Sequence, residues 1–444
     1  MNIQSVCVAS LVVWLSPAAY GEIPTIDGLF TDWSDQSVVA NDAQGDASGA
    51  FDITKVAATT NGTELYLHFD TGSELNIQSG DETEGTLRLV IDLPHARQLT
   101  IDFRAKTATL NTEPVQMLPW SRLGFVCLPT YASDRYELRL NLENLGLQEG
   151  DAIKLNFAGS DGLEQDVPVV FKKAQPRQSQ ATLTRNSTAD IRIANLNTLH
   201  QGLSDAGRSA SIKRLIAAAQ ADVFCFQEEW DEVKFREAVA LAMPSEEQVN
   251  LHWFAGCGVV TSLPAEPLAM NHVPGAAVAL TLPGPKYLVV VALHLKCCGF
   301  AGSEADRTRV HQAQRFVNEI RRLRNGEFGE HLREAAVVII GDYNLVGSRK
   351  PLDTLKTAGL TDWVLPGMAD DAAYTWRRTR QEDPFWPGRL DIVCYDPTRL
   401  KQTNGCIVDT SRMSEQTLWD LRLFSHDSWA SDHLLIVADF QLAE

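Results

Sequence analysis

The stretch Val337-Val-Ile-Ile-Gly-Asp-Tyr-Asn344 decides how the second half of this chain folds. Four aliphatic residues in a row are typical of a strand that is buried on both faces, and the polar residues after them mark where that strand ends. In layered α/β proteins the carboxyl ends of such strands carry functional side chains. Asp342 and Asn344 are therefore candidate site residues, although Asp-x-Asn after a strand is also a common turn.

The same layout recurs on both sides of this stretch. Aliphatic runs predict strands at 191–196, 223–227, 259–262, 275–282, 287–295, 390–394 and 434–440. Apolar residues spaced three or four apart predict helices at 208–220, 231–242 and 305–323. This alternation predicts a layered α/β domain over residues 190–444.

Polar residues stand at the ends of these predicted strands. Besides Asp342 and Asn344 they are Asn197, Glu228, His294, Asp391, Asp432 and His433. One such residue alone is a weak signal, because a polar side chain after a strand is usually solvated or structural. Several of them in one layout are hard to explain as packing, so we expect them to form one site.

The first half of the chain has the pattern of an all-β domain. Strands are predicted at 56–60, 64–69, 86–91, 99–103 and 136–142, where polar and apolar residues alternate or apolar residues run together between turn residues. We expect a β-sandwich over residues 22–171. The polar stretch 172–189, which contains Pro176, is predicted to be a linker.

Composition and the N-terminal segment restrict the class of protein. The formal charge of −18 over 444 residues argues against a protein that holds nucleic acid by bulk charge. Residues 1–21 carry no charge and contain an apolar run at 6–15, which predicts a secretory signal peptide. The mature protein is then expected to be secreted, in the periplasm or outside the cell.

Two of the candidate residues suit a divalent cation. Mg²⁺ prefers oxygen ligands and binds one or two carboxylates together with the phosphate oxygens of a substrate. Glu228 supplies a carboxylate and Asn197 an amide oxygen. We therefore expect both on the metal side of the site.

The remaining candidates suit the hydrolysis of a phosphoester. Asp342 is expected to align the attacking water, while Asn344 and His294 donate to phosphate oxygens. His433 acts as a base toward water or, when protonated, as a donor to phosphate. Asp391 is expected to orient the His433 imidazole.

Taken in order, the motifs of the second half resemble those of the endonuclease/exonuclease/phosphatase family. They are IRIANLNTL, DVFCFQE, VVALHL, Arg309-x-x-Gln312, VVIIGDYN, Tyr374-Thr-Trp376, GRLDIV and SDH. The resemblance spans residues 190–440. It implies a four-layer α/β sandwich, phosphoester hydrolysis and Mg²⁺, in some members Mn²⁺ or Ca²⁺.

The resemblance also implies roles, position by position. Asn197 and Glu228 fall on the metal side with Asp432 beside the metal, Asp342 and Asn344 at the phosphate and nucleophile, and Asp391 paired with His433. His294 matches the branch of the family that contains pancreatic-type deoxyribonucleases, sphingomyelinases and inositol 5-phosphatases.

The substrate is left open at this point. Arg377 and Arg378 follow the Tyr374-Thr-Trp376 motif and are expected to bind an anionic substrate, unless the loop is merely solvated. Nucleic acid and a phospholipid head group are the two leading substrates, and no stable protein partner is implied. Two alternatives are an inositol-phosphate-type phosphomonoesterase and a surface-binding protein whose hydrolase domain is inactive. Trp386 contacts a substrate or packs in a core.

The start of the first half, Ile26-Asp27-Gly28 to Trp33, resembles DOMON-like and family-nine carbohydrate-binding sandwiches. This resemblance implies a glycan or cell-surface ligand. A structural spacer whose Trp33 packs in the core is the alternative. Asp42, Asp46 and Asp52 either hold Ca²⁺ or form a solvated acidic loop.

The cysteines allow two disulfide hypotheses in an oxidising compartment. One hypothesis joins Cys394 to Cys406. The other joins Cys257 to the Cys297-Cys298 segment. We expect the Cys297-Cys298 segment to brace the loop after His294 rather than to supply a catalytic thiol.

Overall fold

A computed structural model describes residues 23–33, 38–78, 85–172, 181–243, 249–270, 272–284, 286–368, 372–377 and 385–443. The predicted signal peptide, residues 173–180 of the predicted linker and Arg378 lie outside these ranges, and export stays a prediction. Among the helices of the described ranges, none is long and apolar enough to cross a membrane.

The first half forms two antiparallel sheets, as its period-two pattern predicts. One sheet has the order β1-β2-β3-β9-β8 and the other β11-β10-β4-β5-β6-β7, where the strands are β1 Val38–Asn41, β2 Lys55–Thr60, β3 Glu64–Leu75, β4 Leu87–Leu93, β5 Arg97–Asp102, β6 Thr107–Leu110, β7 Gln116–Leu118, β8 Val126–Leu128, β9 Ser133–Asn141, β10 Ala152–Gly159 and β11 Val167–Val170. A short helix α1, Trp120–Leu123, and a 3₁₀ turn, Glu143–Leu145, connect strands. The inward-facing residues of both sheets form one core.

The second half forms two mixed sheets. The third sheet has the order β14-β15-β13-β12-β23-β22 and the fourth β16-β17-β18-β19-β21-β20, where the strands are β12 Ile191–Asn197, β13 Val223–Gln227, β14 Asn250–Phe254, β15 Cys257–Thr261, β16 Ala265–Pro267, β17 Gly275–Leu282, β18 Lys286–His294, β19 Ala336–Asp342, β20 Thr361–Trp363, β21 Asp391–Tyr395, β22 Leu400–Val408 and β23 Leu435–Leu442. The helices are α2 Ser209–Ala219, α3 Glu232–Ala242, α4 Glu304–Arg324, α5 Lys350–Lys356 and α6 Glu415–Leu421, with 3₁₀ turns at Glu330–Leu332, Thr410–Arg412 and Asp427–Ala430.

The third and fourth sheets pack face to face, and helices cover their outer faces. In β12, Ile191 and Ile193 face the core between the two sheets, whereas Ala194 and Leu196 face the core under α2 and α3. The strand β19 divides its residues in the same way between the central core and the core under α4 and α5. Strands buried on both faces need apolar side chains at successive positions, which explains the aliphatic runs. The result is a four-layer α/β sandwich.

Both disulfide hypotheses are wrong, because the seven cysteines of the described residues are free. Cys394 packs in the core under α4 and α5, and Cys406 packs in the core under α2 and α3, so the two lie in opposite outer layers. Cys257 is buried between the two sheets, whereas Cys297 and Cys298 are exposed.

A tryptophan of the second half is inserted into the core of the first two sheets. The Trp386 side chain is fully buried and belongs to that core. Its ring centroid lies 5.6 Å from that of Phe103, 4.7 Å from Trp120 and 5.2 Å from Phe125. Its indole Nε1 donates to the Ile77 carbonyl at 3.3 Å. Trp386 is thus a core residue rather than a substrate contact, and it fixes one half of the chain to the other.

Further hydrogen bonds join the first half to two loops of the second half. Asn76 Nδ2 donates to the Val346 carbonyl at 3.2 Å, and the Ala132 N–H donates to the Gly347 carbonyl at 2.7 Å. The Thr130 hydroxyl donates to the Arg389 carbonyl at 3.1 Å. The first of these loops follows β19 and the second precedes β21, so the β-sandwich holds the chain at both strand ends.

We expect Trp386→Ala to lower the free energy of unfolding by about 3–5 kcal/mol, because it leaves a cavity among aromatic rings that cannot close fully. Urea unfolding measures this loss. Trp419→Ala is the matched control: Trp419 is 81% exposed, so the free energy should change by no more than about 0.5 kcal/mol. Equal stability losses in the two variants would contradict the buried position of Trp386.

Candidate active site

The predicted site residues meet at one edge of the two central sheets. Asn197 is the last residue of β12, and His294 and Asp342 end the parallel strands β18 and β19 in directly paired register. Asp391, the first residue of antiparallel β21, pairs with Asp342. Parallel strands place their carboxyl ends together, and an antiparallel neighbour adds the start of its own strand. The topology therefore brings together residues that are far apart in sequence.

His433 and Asp391 form a buried pair. The imidazole Nδ1 lies 2.7 Å from Asp391 Oδ2, and the other ring nitrogen, Nε2, lies 3.7 Å from Asp342 Oδ2. The His433 side chain is only 6% exposed. The predicted pairing of Asp391 with His433 is present in the structure, with Nε2 turned toward Asp342.

The electrostatics of this pair favour a charged imidazole. Burial alone would lower the pKa of His433, but the carboxylates of Asp391 and Asp342 raise that pKa to about 10. Asp391 is in turn held by Asn195, whose Nδ2 donates to Asp391 Oδ1 at 3.3 Å. His433 is thus a proton donor at neutral pH.

Glu228, Asn197 and Asp342 form the neighbouring group. The Asn197 side-chain nitrogen donates to Glu228 Oε1 at 3.2 Å and to Asp342 Oδ2 at 3.1 Å. Glu228 follows β13 with a left-handed φ of 62°. This turn aims its carboxylate at the His200 N–H, which donates to Oε2 at 2.9 Å. The carboxylates of Glu228 and Asp342 therefore converge on the side-chain amide of Asn197.

The two carboxyl groups differ in their affinity for protons. Burial raises the pKa of Asp342 to about 7, and repulsion from Asp391 and Glu228 works in the same direction, against the attraction of His433. Burial also acts to raise the pKa of Glu228, but the hydrogen bonds from the His200 N–H and the Asn197 side chain, together with the charge of His433, outweigh it and keep that pKa below its usual value. Glu228 is thus the anionic group, and Asp342 is able to take up a proton near neutral pH.

His294 lies beside this group on the other strand end. Its Nε2 is 3.5 Å from Asp342 Oδ2, and its ring centroid is 5.8 Å from that of Trp230. Burial lowers the pKa of His294, and this effect exceeds the opposing one of Glu228. The structure therefore places His294 at the site as predicted, in an environment that favours the neutral imidazole.

The Arg309-x-x-Gln312 motif fixes the loop after His294. The fully buried Arg309 donates to the carbonyls of Lys296 at 2.9 Å and Cys298 at 2.7 Å. Gln312 Oε1 accepts from the Lys296 N–H at 2.9 Å. This motif acts on the backbone of a loop at the site.

Asn344 and Asp432 lie at the site edge, but with contacts different from those expected. The Asn344 side-chain nitrogen donates to Asp342 Oδ2 at 2.9 Å and to the Leu295 carbonyl at 3.2 Å, so its donors hold Asp342 instead of pointing to a phosphate. Asp432 Oδ2 accepts from the Trp376 indole at 3.1 Å. Its hydrogen bonds among the described residues do not join it to Glu228 or Asn197, so a place beside the metal stays a prediction.

Arg377 does not form the exposed basic loop that we expected. Its guanidinium donates to Asp409 Oδ1 at 3.2 Å and to the Ser428 carbonyl, and it lies 3.9 Å from the centre of the Trp429 ring. The residue is 6% exposed. The charge of Arg377 is thus paired inside the protein, and its role in substrate binding stays a prediction. Arg378 lies outside the described residues.

Buried polar residues that we did not single out support the predicted ones. Gln227 Nε2 donates to Asn195 Oδ1 at 2.7 Å, which continues the chain from Asn195 to Asp391. The Thr375 hydroxyl accepts from the N–H of Asp391 at 2.8 Å. The available signal was the spacing: Asn195 precedes Asn197 by two positions in β12, which puts both on one face of the strand.

The first half shows no comparable site at the residues considered there. Trp33 is buried and its indole donates to Glu137 Oε2 at 2.7 Å, as the structural alternative predicts. Carboxylate oxygens of Asp42, Asp46 and Asp161 lie within 4.8 Å of one another. Asp52 instead accepts from the Gly45 N–H at 2.7 Å. A glycan ligand and Ca²⁺ stay predictions.

The sequence matches the Endonuclease/Exonuclease/phosphatase family over residues 194–433, more than half of its 444 residues. The chain belongs to this family. By its description the family comprises nucleases and phosphatases, which are hydrolases of phosphoesters. No curated protein matches the sequence.

Several solved structures are similar to the second half of the chain. They include the human Nocturnin catalytic domain with bound sulfate, at 17% identity over 57% of this chain and 94% of that one, with a TM-score of 0.39. TDP2 from D. rerio with a single-strand DNA product has 16% identity over 56% and 98%, with a TM-score of 0.39. The beta toxin of Staphylococcus aureus has 16% identity over 56% and 99%, with a TM-score of 0.39. At this similarity the family assignment rests on the sequence match.

We expect the His433 imidazole of the metal-free protein to stay protonated until the pH approaches 10, and its pKa to fall in Asp391→Asn because the paired charge is lost. NMR titration of the imidazole in EDTA measures both values.

The raised pKa of His433 also makes the free energy of unfolding depend on pH. The stabilisation from the His433–Asp391 pair is complete below about pH 6.5, the pKa of histidine in the unfolded chain, and is lost as the pH rises through the pKa of His433 in the folded protein.

Asp432→Asn serves as the control, because the charge of Asp432 raises the His433 pKa less than the charges of Asp391 and Asp342 do. A His433 pKa near that of a free histidine in the unmodified protein would contradict this account.

Proposed function

We propose that this protein is a Mg²⁺-dependent phosphodiesterase in which water attacks a phosphodiester bound beside His433 and Asp342. The observation that carries the proposal is geometric: His433 Nε2 lies 3.7 Å from Asp342 Oδ2, while Asp391 holds Nδ1 of the same ring at 2.7 Å. The raised pKa of His433, about 10, and that of Asp342, about 7, agree with a proton donor beside a proton acceptor. A proton donor and a proton acceptor thus face the same space, which is what hydrolysis of a phosphoester requires.

The donor set fits a hard divalent cation. Oxygens of Glu228 and Asp342 converge on the side-chain nitrogen of Asn197, whose oxygen accepts from the Leu199 N–H at 3.1 Å. Carboxylate and amide oxygens are the ligands that Mg²⁺ prefers. Burial raises the pKa of Asp342, and repulsion from Asp391 and Glu228 adds to it, so a cation bound here would relieve that repulsion. Glu228 and Asn197 would hold the ion, with Mn²⁺ or Ca²⁺ as alternatives. Bound there, it would neutralise phosphate charge.

The side chains divide the remaining work. His433 Nε2–H donates to an oxygen of the substrate, while Asp391 holds Nδ1 and so fixes the orientation of the ring. Asp342 accepts a proton from the attacking water, and Asn344 keeps its carboxylate in place. Neutral His294 adds a donor or acceptor beside Asp342.

The distribution of charge favours a short substrate over a long polyanion. Arg377 is buried against Asp409, and Lys296 is the exposed cation of the loop that follows His294. A long duplex needs many basic contacts. We therefore propose a substrate recognised through one phosphodiester, either in a short or single-stranded nucleic acid or in a phospholipid head group.

We expect His433→Ala and Glu228→Gln each to lower the turnover of bis-p-nitrophenyl phosphate by about 10²-fold or more. His433→Ala removes the proton donor, and Glu228→Gln removes a charged oxygen ligand of the metal. General acid catalysis and metal ions each contribute rate factors of about this size. Initial rates with Mg²⁺, and with EDTA in its place, measure the effect.

The matched controls are His331→Ala and Glu266→Gln. These two exposed residues lie away from the site and contact each other, with His331 Nε2 3.2 Å from Glu266 Oε1. Both controls should keep full activity. Plasmid DNA, single-stranded oligonucleotides and sphingomyelin, each with and without EDTA, then identify the substrate class. Rates near those of the unmodified enzyme in His433→Ala and Glu228→Gln, or no hydrolysis of any substrate with Mg²⁺, Mn²⁺ or Ca²⁺, would refute the proposal.

A further inference from the structure

Two adjacent thiols stand at the surface beside the site. Cys297 and Cys298 are exposed, whereas the other five described cysteines are buried. Their sulfur atoms lie 2.9 Å apart. A disulfide bond is about 2.05 Å long, so the two sulfurs are within about 1 Å of bonding distance.

The backbone of the loop places the two thiols side by side. Cys298 has a left-handed φ of 70° and Gly299 follows with a φ of 78°. A side chain at Gly299 would lie 2.5 Å from the Ser303 hydroxyl, so the turn requires glycine there. Arg309 binds the carbonyls of Lys296 and Cys298, on either side of Cys297, and so holds the turn from the inside.

The same loop is bonded directly to the site. The Leu295 N–H donates to the Asp342 carbonyl at 2.9 Å, and Asn344 Nδ2 donates to the Leu295 carbonyl. His294 precedes Leu295. A covalent change at Cys297 and Cys298 therefore acts on a segment of a few residues that ends at His294.

The two thiols also differ in reactivity. The hydrogen bond donated by the Cys298 thiol lowers the pKa of Cys297 to about 6, with a further contribution from Lys296. Cys297 is then a thiolate at neutral pH, and the thiolate is the nucleophile in thiol–disulfide exchange.

We propose that Cys297 and Cys298 form a thiol–disulfide exchange site for small-molecule disulfides, and that closure of a ring between them slows the reaction at the site next to His294. The part that concerns the reaction rests on the proposed function.

The chemistry balances in two steps. The Cys297 thiolate attacks one sulfur of the small disulfide, which breaks its S–S bond, forms a mixed disulfide and releases one thiolate. Cys298 then gives up its proton and attacks the sulfur of Cys297, which releases the second thiolate and closes the ring. The two cysteines lose two electrons, and the small disulfide gains them as two thiols.

The first test uses the reduced full-length protein with oxidised glutathione and no metal or substrate. Intact-mass and peptide mass spectrometry should show the loss of two hydrogen atoms, located at Cys297 and Cys298. The Cys298→Ser variant should stop at a stable glutathione adduct on Cys297. An accumulating adduct without ring closure in the unmodified protein, or no reaction at all, would overturn the proposal.

The second test measures hydrolysis of bis-p-nitrophenyl phosphate before and after oxidation. The oxidised protein should be slower by at least about fivefold, and dithiothreitol should restore the rate. The double variant Cys297→Ser/Cys298→Ser should not respond to oxidised glutathione. An unchanged rate after ring closure would overturn the coupling to His294, whereas ring closure in a protein that hydrolyses nothing when reduced would refute the proposed function instead.

Discussion

The insertion of Trp386 into the core of the β-sandwich is the constraint on which the site geometry depends. Trp386 lies five residues before Asp391, which holds the His433 imidazole at 2.7 Å. Once Trp386 is fixed among Phe103, Trp120 and Phe125, the chain that enters β21 has little freedom. The loop after β19 is bonded to the same sandwich through Val346 and Gly347. The first half is therefore part of the scaffold of the site, and a spacer role alone does not describe it.

Burial gives the charges at this site their effect. In a dry environment charges interact more strongly than in water, and each buried group shifts the proton affinity of its neighbours. The two groups respond differently: the charge of Asp391 keeps the proton on His433, whereas burial, with repulsion from Asp391 and Glu228, gives Asp342 an affinity for a proton near neutral pH. One cluster thereby holds a proton donor and a proton acceptor at the same pH.

The sequence predicts the parts of this arrangement that depend on local pattern. Aliphatic runs such as 337–340 locate the strands of the four-layer domain, and the polar residues at the ends of these runs locate Glu228, Asp342 and His433. The sequence does not predict contacts between distant segments. The residues around Arg377 do not indicate that Asp409 and Ser428 pair with its charge, and the residues near Trp386 do not indicate that its side chain packs in the core of the first half. The cysteine pairs failed for the same reason, because layer membership is decided by the sheets and not by spacing.

The most direct test of the shared scaffold is the turnover number of Thr130→Val with bis-p-nitrophenyl phosphate, compared with that of Thr112→Val. Thr130 donates its hydroxyl to the Arg389 carbonyl, two residues before Asp391, whereas Thr112 makes the same kind of bond, to the Pro114 carbonyl at 2.8 Å, between β6 and β7. The account predicts that Thr130→Val loses about tenfold or more in turnover, because small displacements of catalytic groups are costly, while both variants unfold at similar temperatures and Thr112→Val keeps its activity. Equal turnover in Thr130→Val and Thr112→Val would contradict it.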